Sequence, residues 1–443
     1  MSDVDLARFV RAAKRASVHR PVGVVTEVVG LSVEIGGLRA GIGEMLRVES
    51  KTPLDLEVIG FRGGRLVATP LGPVSGIRPG DRAVLSERGS RIAVSDKLLG
   101  RLIDPFGVPI DGMARIDAHE GYPVNAPPPA ATSRKPIADV LGTGVRVLDS
   151  MLTLGRGQRI GIFAGAGVGK TTLLGMLCRA SDADVNVVAL VGERGREVNE
   201  FVRDALGPEG LARSVVVVAT SDQPPLVRAR AAEAATAIAE YFRDQGKSVL
   251  FVMDSVTRYA MAMREAALSS GEPPATKGYP PSVFASLPRL LERAGTGANE
   301  GAITAVYTVL VEGDDLSDPI ADAVRGILDG HVVLSRSLAE TGHFPAIDVL
   351  ASLSRLMPQL VAPAHVQAAS KLRELLGAYR DAKDLIQIGA YEKGSDPRVD
   401  AAARMMPHIE RFLRQGDHER SGREGAVTAL MELVTEATRE IAR

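Results

Sequence analysis

The sequence predicts a multidomain α/β fold: a small N-terminal β-barrel, a central domain on a mainly parallel sheet, and a helical C-terminal domain. Three observations predict it. Short β-rich pieces separated by glycine-containing turns fill the stretch from Pro21 to Gly100. Apolar runs of buried-strand type then alternate with helical stretches, which implies parallel strands joined by right-handed crossovers. Beyond Pro363 strand patterning stops and helical periodicity takes over. The 443 residues leave room for about two or three domains with a sizeable core.

Composition excludes several classes. Charged residues make up 24% of the chain and the formal net charge is -1, so nothing in the overall balance calls for nucleic acid or an acidic partner. The single cysteine, Cys178, rules out a disulfide framework and suits the cytoplasm. It falls on the helix after a glycine-rich loop, where it reads as a buried small hydrophobe. No signal-peptide stretch and no long uncharged apolar run occurs, so a soluble or at most peripheral protein is expected. Aromatic residues total 4% and tryptophan is absent, which argues against stacking platforms for bases.

Taken in order, residues 3 to 20 place Leu6, Phe9, Val10 and Ala13 at helical spacing among Arg8, Arg11, Lys14, Arg15 and Arg20. This basic amphipathic arm, residues 1–20, suits an acidic partner helix or an anionic lipid surface, and equally an ordinary solvated terminal helix. The barrel is expected over residues 21–100, from strands at Val22 to Val29, Ser32 to Ile35, Leu46 to Val48, Leu56 to Phe61, Arg65 to Ala68 and Arg82 to Leu85. Its one aromatic, Phe61, favours packing and subunit contact over nucleic-acid binding. A connector over residues 101–136 carries Pro123, Pro127, Pro128, Pro129 and Pro136. In the central domain, residues 137–362, buried strands are expected at Ile160 to Phe163, Val185 to Val191, Val215 to Ala219, Val249 to Met253 and Ala302 to Leu310. Helix Leu226 to Phe242 is read with Ala231, Ala234, Ala235, Ile238, Tyr241 and Phe242 on one face and charges opposite. The helical domain, residues 363–443, carries one stripe of Leu372, Leu375, Leu376 and Tyr379 and another of Val427, Leu430, Val434, Ala437 and Ile441.

The chemistry centres on Ala164-Gly165-Ala166-Gly167-Val168-Gly169-Lys170-Thr171-Thr172, which follows an apolar strand and opens a helix. Helix N-terminal amides favour an anion, Lys170 can reach the outer phosphates of a nucleotide, and the Thr171 hydroxyl can ligate magnesium. Ala164 stands where the strict pattern has glycine, at small cost, because the later glycines are the ones that approach phosphate. A glycine-rich turn with an incidental Lys-Thr is the plain alternative. Glu193 leaves a buried strand as it reaches this face and can polarise water, with Arg194 near a phosphate oxygen; a solvated turn with paired charges would look the same. Asp254 ends another apolar strand, where a carboxylate calls for a cation, magnesium with Thr171, or else caps a helix. For Arg355 the local pattern decides nothing.

Together the loop, Gly192-Glu193-Arg194-Gly195-Arg196-Glu197, Ser221-Asp222-Gln223-Pro224-Pro225, Met253-Asp254-Ser255-Val256-Thr257-Arg258 and Phe344-Pro345-Ala346-Ile347-Asp348 through Ser354-Arg355 closely resemble the rotary-type ATPases of protein export. The chain is similar to the catalytic β subunit of F-type ATP synthase and more closely to the type III secretion ATPases. Gly389-Ala390-Tyr391 and Gly394-Ser395-Asp396-Pro397 look like the flagellar branch. The resemblance implies a RecA-like ATPase domain and a homohexameric ring with Mg-ATP at the subunit interfaces. It implies that Lys170 and Thr171 hold phosphate and Mg2+, that Glu193 activates water, and that Arg194 and Arg258 assist. Glu197 and Asp254 act near the metal, Phe344 packs on adenine, and Arg355 reaches into the neighbour's site as an arginine finger. A second adenine-side aromatic has no counterpart around Gln415 to His418. The segment Gly278 to Phe284 and the loop Asp314 to Asp318 look like central-channel and stalk-contact elements. Implied partners are a central stalk protein, export substrates and their chaperones, a regulatory or stator protein on the arm, and anionic lipid at the inner face of the bacterial inner membrane, with no nucleic acid. An injectisome ATPase, an RNA-translocating hexamer and a nucleotide-gated docking platform for chaperones are the alternatives.

Overall fold

A computed structural model describes residues 21–86, 90–118, 120–311 and 317–441. The basic arm and residues 314 to 316 of the expected stalk-contact loop lie outside these. The chain divides into two compact units.

The first unit contains the barrel. Its strands are β1 (Val22–Val29), β2 (Ser32–Gly36), β3 (Met45–Glu49), β4 (Leu54–Arg62), β5 (Arg65–Pro70) and β6 (Arg82–Leu85). They close antiparallel in the order β1-β2-β5-β4-β3-β6. Period-two alternation dictates this: Leu54, Leu56 and Val58 of β4 point inward onto Val33, Ile35, Leu46, Val48 and Leu66, while the residues between them face out. Each expected barrel strand is present, within two residues of the boundaries read from the pattern.

The second unit holds a nine-stranded sheet of order β19-β18-β12-β17-β15-β13-β14-β8, with β16 (Gly295–Thr296) antiparallel to β17 off that path. The strands are β8 (Arg101–Ile103), β12 (Arg159–Ala164), β13 (Val185–Glu193), β14 (Ser214–Thr220), β15 (Ser248–Asp254), β17 (Ala302–Leu310), β18 (Gly330–Leu334) and β19 (Ile347–Ser354). Among the described residues two small two-stranded pairs, β7 (Arg91–Val94) with β9 (Glu120–Pro123) and β10 (Val140–Leu141) with β11 (Leu154–Gly155), accompany this sheet. Along the main path every pairing is parallel except β18 with β19. β13 and β15 are buried at every position because helices cover both faces. The sequence pattern did not announce β18 and β19, whose burial alternates. Nor did it announce β8, which begins the segment read as a connector and pairs with β14.

Helix Pro225–Asp244 differs from its expected amphipathic form. Arg230, Glu240 and Arg243 are buried along with its alanines, so charge lies inside rather than opposite a buried face. Glu240 accepts two hydrogen bonds from Arg293, at 3.0 and 2.6 Å, which satisfies both groups away from water. The C-terminal helices Pro363–Gln387, Pro397–Leu413 and Arg423–Ile441 form the expected helical end. Leu372 and Leu375 are fully buried, and the last helix buries Ala426, Leu430, Leu433 and Ala437, a stripe rotated slightly from the expected one.

Candidate active site

The site forms at the carboxyl ends of β12, β17, β15 and β13, which the parallel register brings level: Ala164 pairs with Leu310, and Leu190 with Asp254. β12 runs into a turn in which Gly167 (φ 77°) and Gly169 (φ 87°) take the left-handed conformation that glycine adopts without strain. Gly169 then caps helix Lys170–Ala180, whose first amides are free to face an anion. Ala164 is buried within the strand, so its methyl replaces a glycine hydrogen in the core and not in the turn.

Lys170 Nζ donates to Asp254 Oδ1 at 2.5 Å and stands 3.9 Å from Glu193 Oε1. Thr308 Oγ1 donates to the same Asp254 oxygen at 2.7 Å. It does so because β15 and β17 align Met253 with Tyr307, leaving the next residues side by side. Asp254 is therefore no helix cap; Ser255 Oγ takes that part, accepting from Arg258 N at 3.2 Å. Glu193 is buried beside this pair, while Arg194 is exposed and donates to Glu197 Oε1 at 3.2 Å. Burial first, then the Glu197 hydrogen bond and the Asp254 charge, push the Glu193 carboxyl up to about 8, against the pull of Lys170 and Arg258. Its hydrogen bond with Glu193 holds Glu197 below the ordinary carboxylate range. With its proton on, this carboxyl donates to Glu197; once it gives that proton up it is a base suited to accept one or to orient a water.

These residues border one cleft of about 380 Å³, shared by Gly165, Ala166, Gly167, Gly169, Lys170, Thr171, Glu193, Arg194, Glu197, Asp254 and Arg258. Val168 turns into the core and Thr172 faces solvent. Among the described residues no group of three or more His, Cys, Asp or Glu side chains could hold a metal ion by itself. The Thr171 hydroxyl and Asp254 carboxylate nonetheless fit magnesium, a hard cation that takes one or two protein oxygens and completes its shell with water and phosphate.

Phe344 lies outside the cleft, 43% exposed, with its ring against the loop: a Cβ built on Gly169 would come 3.3 Å from it. It lines a neighbouring cavity of about 690 Å³ together with Arg146, Arg414 and Gln415. Gln415, where no aromatic stands, is buried and fully engaged. Its Oε1 accepts from Arg146 N at 2.7 Å, its Nε2 donates to the Gly144 and Glu419 carbonyls at 2.9 and 2.7 Å, and its own N–H donates to Phe344 O at 2.9 Å. Arg355 is not brought to this chain's cleft; it is exposed just beyond β19. Tyr279 of the expected channel segment is buried against Phe284, with Arg264 over its ring at 5.2 Å. Asp318 caps helix Pro319–Ile327 through Ile320 N and Ala321 N. Thr308, Arg146 and Gln415 were not singled out from the sequence, since the residues they serve lie far away in the chain.

Two family profiles match: "ATP synthase alpha/beta family, nucleotide-binding domain" over residues 144–354, and "T3SS EscN ATPase C-terminal domain" over residues 361–432. This chain belongs to the ATP synthase alpha/beta family. Within it, the second profile and the relatives place it among the type III secretion and flagellar ATPases, and it is an ATPase. It is 51% identical to the flagellum-specific ATP synthase of Bacillus subtilis, over 94% of this chain and 95% of that one. It is 49% identical to the type 3 secretion system ATPase of Xanthomonas euvesicatoria, over 95% and 96%. Among solved structures it resembles the assembled ATPase EscN of the enteropathogenic E. coli type III secretion system, at 46% identity and a TM-score of 0.88, covering 93% of this chain and all of that one. EscN has also been solved in complex with its central stalk EscO. No described helix is long and apolar enough to cross a membrane.

Proposed function

We propose that this protein is the ATPase that energises export of flagellar proteins, working as a homohexameric ring with ATP at the subunit interfaces. The observation that carries this reading is that Lys170, Glu193 and Asp254 converge in one cleft while Arg355 lies exposed outside it. A chain so built gathers the phosphate loop, a carboxyl for water and Arg258 in one cleft but leaves Arg355 out of it. Lys170 and Asp254 neutralise each other; an incoming triphosphate draws Lys170 to its outer oxygens and releases the Asp254 carboxylate. Thr171 and Asp254, with Glu197 behind them, would hold magnesium there, and the bound ion would supply neutralisation of charge on the phosphate oxygens. Glu193 orients the attacking water and accepts its proton, Arg194 and Arg258 balance the phosphate charge, and Phe344 packs on the adenine. Arg355 of one subunit completes the site of the next.

The flagellar assignment is supported by the Bacillus relative at 51% identity; an injectisome ATPase is the second reading, supported by the Xanthomonas relative at 49%. A central stalk partner is supported by the EscN–EscO complex. Export substrates and chaperones, a regulatory protein or anionic lipid for the N-terminal arm, and a station at the cytoplasmic face of the inner membrane complete the proposal.

The test is ATP hydrolysis against protein concentration. Turnover per chain should rise with concentration, and Arg355→Ala and Glu193→Gln should each be inactive, with Glu193→Gln still binding ATP. Mixing the two variants should restore part of the activity. Turnover that is flat with dilution, together with a fully active Arg355→Ala, removes the shared site. Failure to restore motility in a strain lacking its own flagellar ATPase, with rescue of an injectisome strain, favours the second reading.

A further inference from the structure

A second arginine stands beside Arg355. Helix Pro319–Ile327 carries Arg325 in its last turn. Arg355 Nη2 donates to the Arg325 carbonyl at 3.5 Å, and Arg355 N to the Asp329 carbonyl at 3.0 Å, which moors the finger over the end of that helix. His331 stands opposite Leu353 in the β18–β19 pairing, with Nε2 3.1 Å from Ala351 O. Burial lowers the His331 pKa first, and the charges of Arg325 and then Arg355 lower it further, so both guanidinium groups bear on one small region.

Among the described residues neither arginine has a carboxylate within 4 Å. Two neighbouring acids are engaged elsewhere, and Asp322, one turn earlier on the same helix, forms no ion pair with Arg325 within 4 Å. Asp329 spends both oxygens on Arg159, at 3.1 and 3.2 Å, and Asp348 accepts from the main-chain N–H groups of Leu350 and Ala351. The helix C-terminus offsets part of one positive charge and no more. Two cations carried by a helix end and the strand end moored to it, neither with a carboxylate within 4 Å among the described residues, are answered well by an anion, and charge-assisted bonds to phosphate are strong ones.

We propose that Arg325 is a second catalytic arginine, which meets, next to Arg355, the polyphosphate of ATP bound in the neighbouring copy's cleft. This rests on the shared site proposed above. The bland account, that Arg325 only favours its helix end, predicts a small stability effect and unchanged chemistry.

The experiment measures hydrolysis at saturating Mg-ATP by Arg325→Ala and by the size-conserving Arg325→Gln, with ring assembly followed by sedimentation. Both variants should assemble and bind ATP with an unchanged KM while kcat falls roughly 10²-fold, as for loss of one stabilising donor. Arg325→Lys should recover part of that loss, and mixing Arg325→Gln with Glu193→Gln should restore activity as the Arg355→Ala mixture does. Wild-type kcat in Arg325→Gln beside an inactive Arg355→Ala overturns the assignment and leaves the shared site standing. A fully active Arg355→Ala removes both.

Discussion

Asp149 is fully buried in helix Arg146–Met151, and its carboxyl accepts from Thr143 N at 2.8 Å, Thr143 Oγ1 at 2.7 Å and Gly144 N at 3.1 Å. It holds the turn whose Gly144 carbonyl receives Gln415, and through Gln415 the main chain at Phe344. Burial pushes this carboxyl up, the three hydrogen bonds pull it down, and it settles at about 6 against an ordinary 3.8. The folded state therefore binds more protons than the unfolded one between these values. Asp149 contributes stability that is fully present below about pH 4 and lost as pH rises through 6. The wild type should gain about 1.4 kcal/mol relative to Asp149→Asn between pH 8 and pH 5, read by denaturant unfolding at each pH. Parallel pH curves for the two proteins would remove this carboxyl as the source. Residues of this kind were invisible in the sequence. Lys170, Glu193 and Asp254 were legible because each sits at a local boundary between an apolar strand and polar residues. Gln415 and Thr308 were not, because what they touch is 271 and 54 residues away. Cys178 was legible too: it is buried and its thiol is pushed up to about 12, as expected of a small core hydrophobe.

At the scale of the element, the phosphate loop joins two sets of constraints that substitution can separate. Gly169 needs φ 87°, and a Cβ there would also press on the Phe344 ring at 3.3 Å. Gly169→Ala should cost about 1–2 kcal/mol of backbone strain and displace either the loop or the ring, weakening ATP binding at least tenfold. Ala164→Gly restores the strict motif yet falls inside β12, where it removes a buried methyl and loosens strand backbone. It should lower stability by roughly 1 kcal/mol and leave ATP affinity unchanged. Equal affinity losses in the two variants would show that Ala164 belongs to the binding turn after all. The barrel and the five apolar strands of the central sheet were legible because alternation and unbroken apolar runs are local signals. β8 was not, since three residues carry no period; β18 and β19 were not, since half-buried strands near the sheet edge mix apolar and polar residues as loops do.

At the scale of the whole molecule, the second unit is tied together by a charge network as well as by its apolar core. Arg293 reaches both oxygens of Glu240 on helix Pro225–Asp244 and donates to the Val124 carbonyl at 2.5 Å, joining three segments distant in sequence. The side chains of the pair are only 3% and 5% exposed. Two charges taken from water at such depth gain little net stability from each other, whereas removing one strands the other. Glu240→Gln and Arg293→Met should thus each cost about 3–5 kcal/mol, and the double variant Glu240→Leu/Arg293→Met should recover most of that loss. Neither residue borders the cleft, so hydrolysis per folded chain should stay at the wild-type level in all three. Additive losses in the double variant would mean that the two side chains act independently through packing. A fall in turnover per folded chain would mean instead that the network holds the sheet ends in register, and with them Asp254 and Lys170.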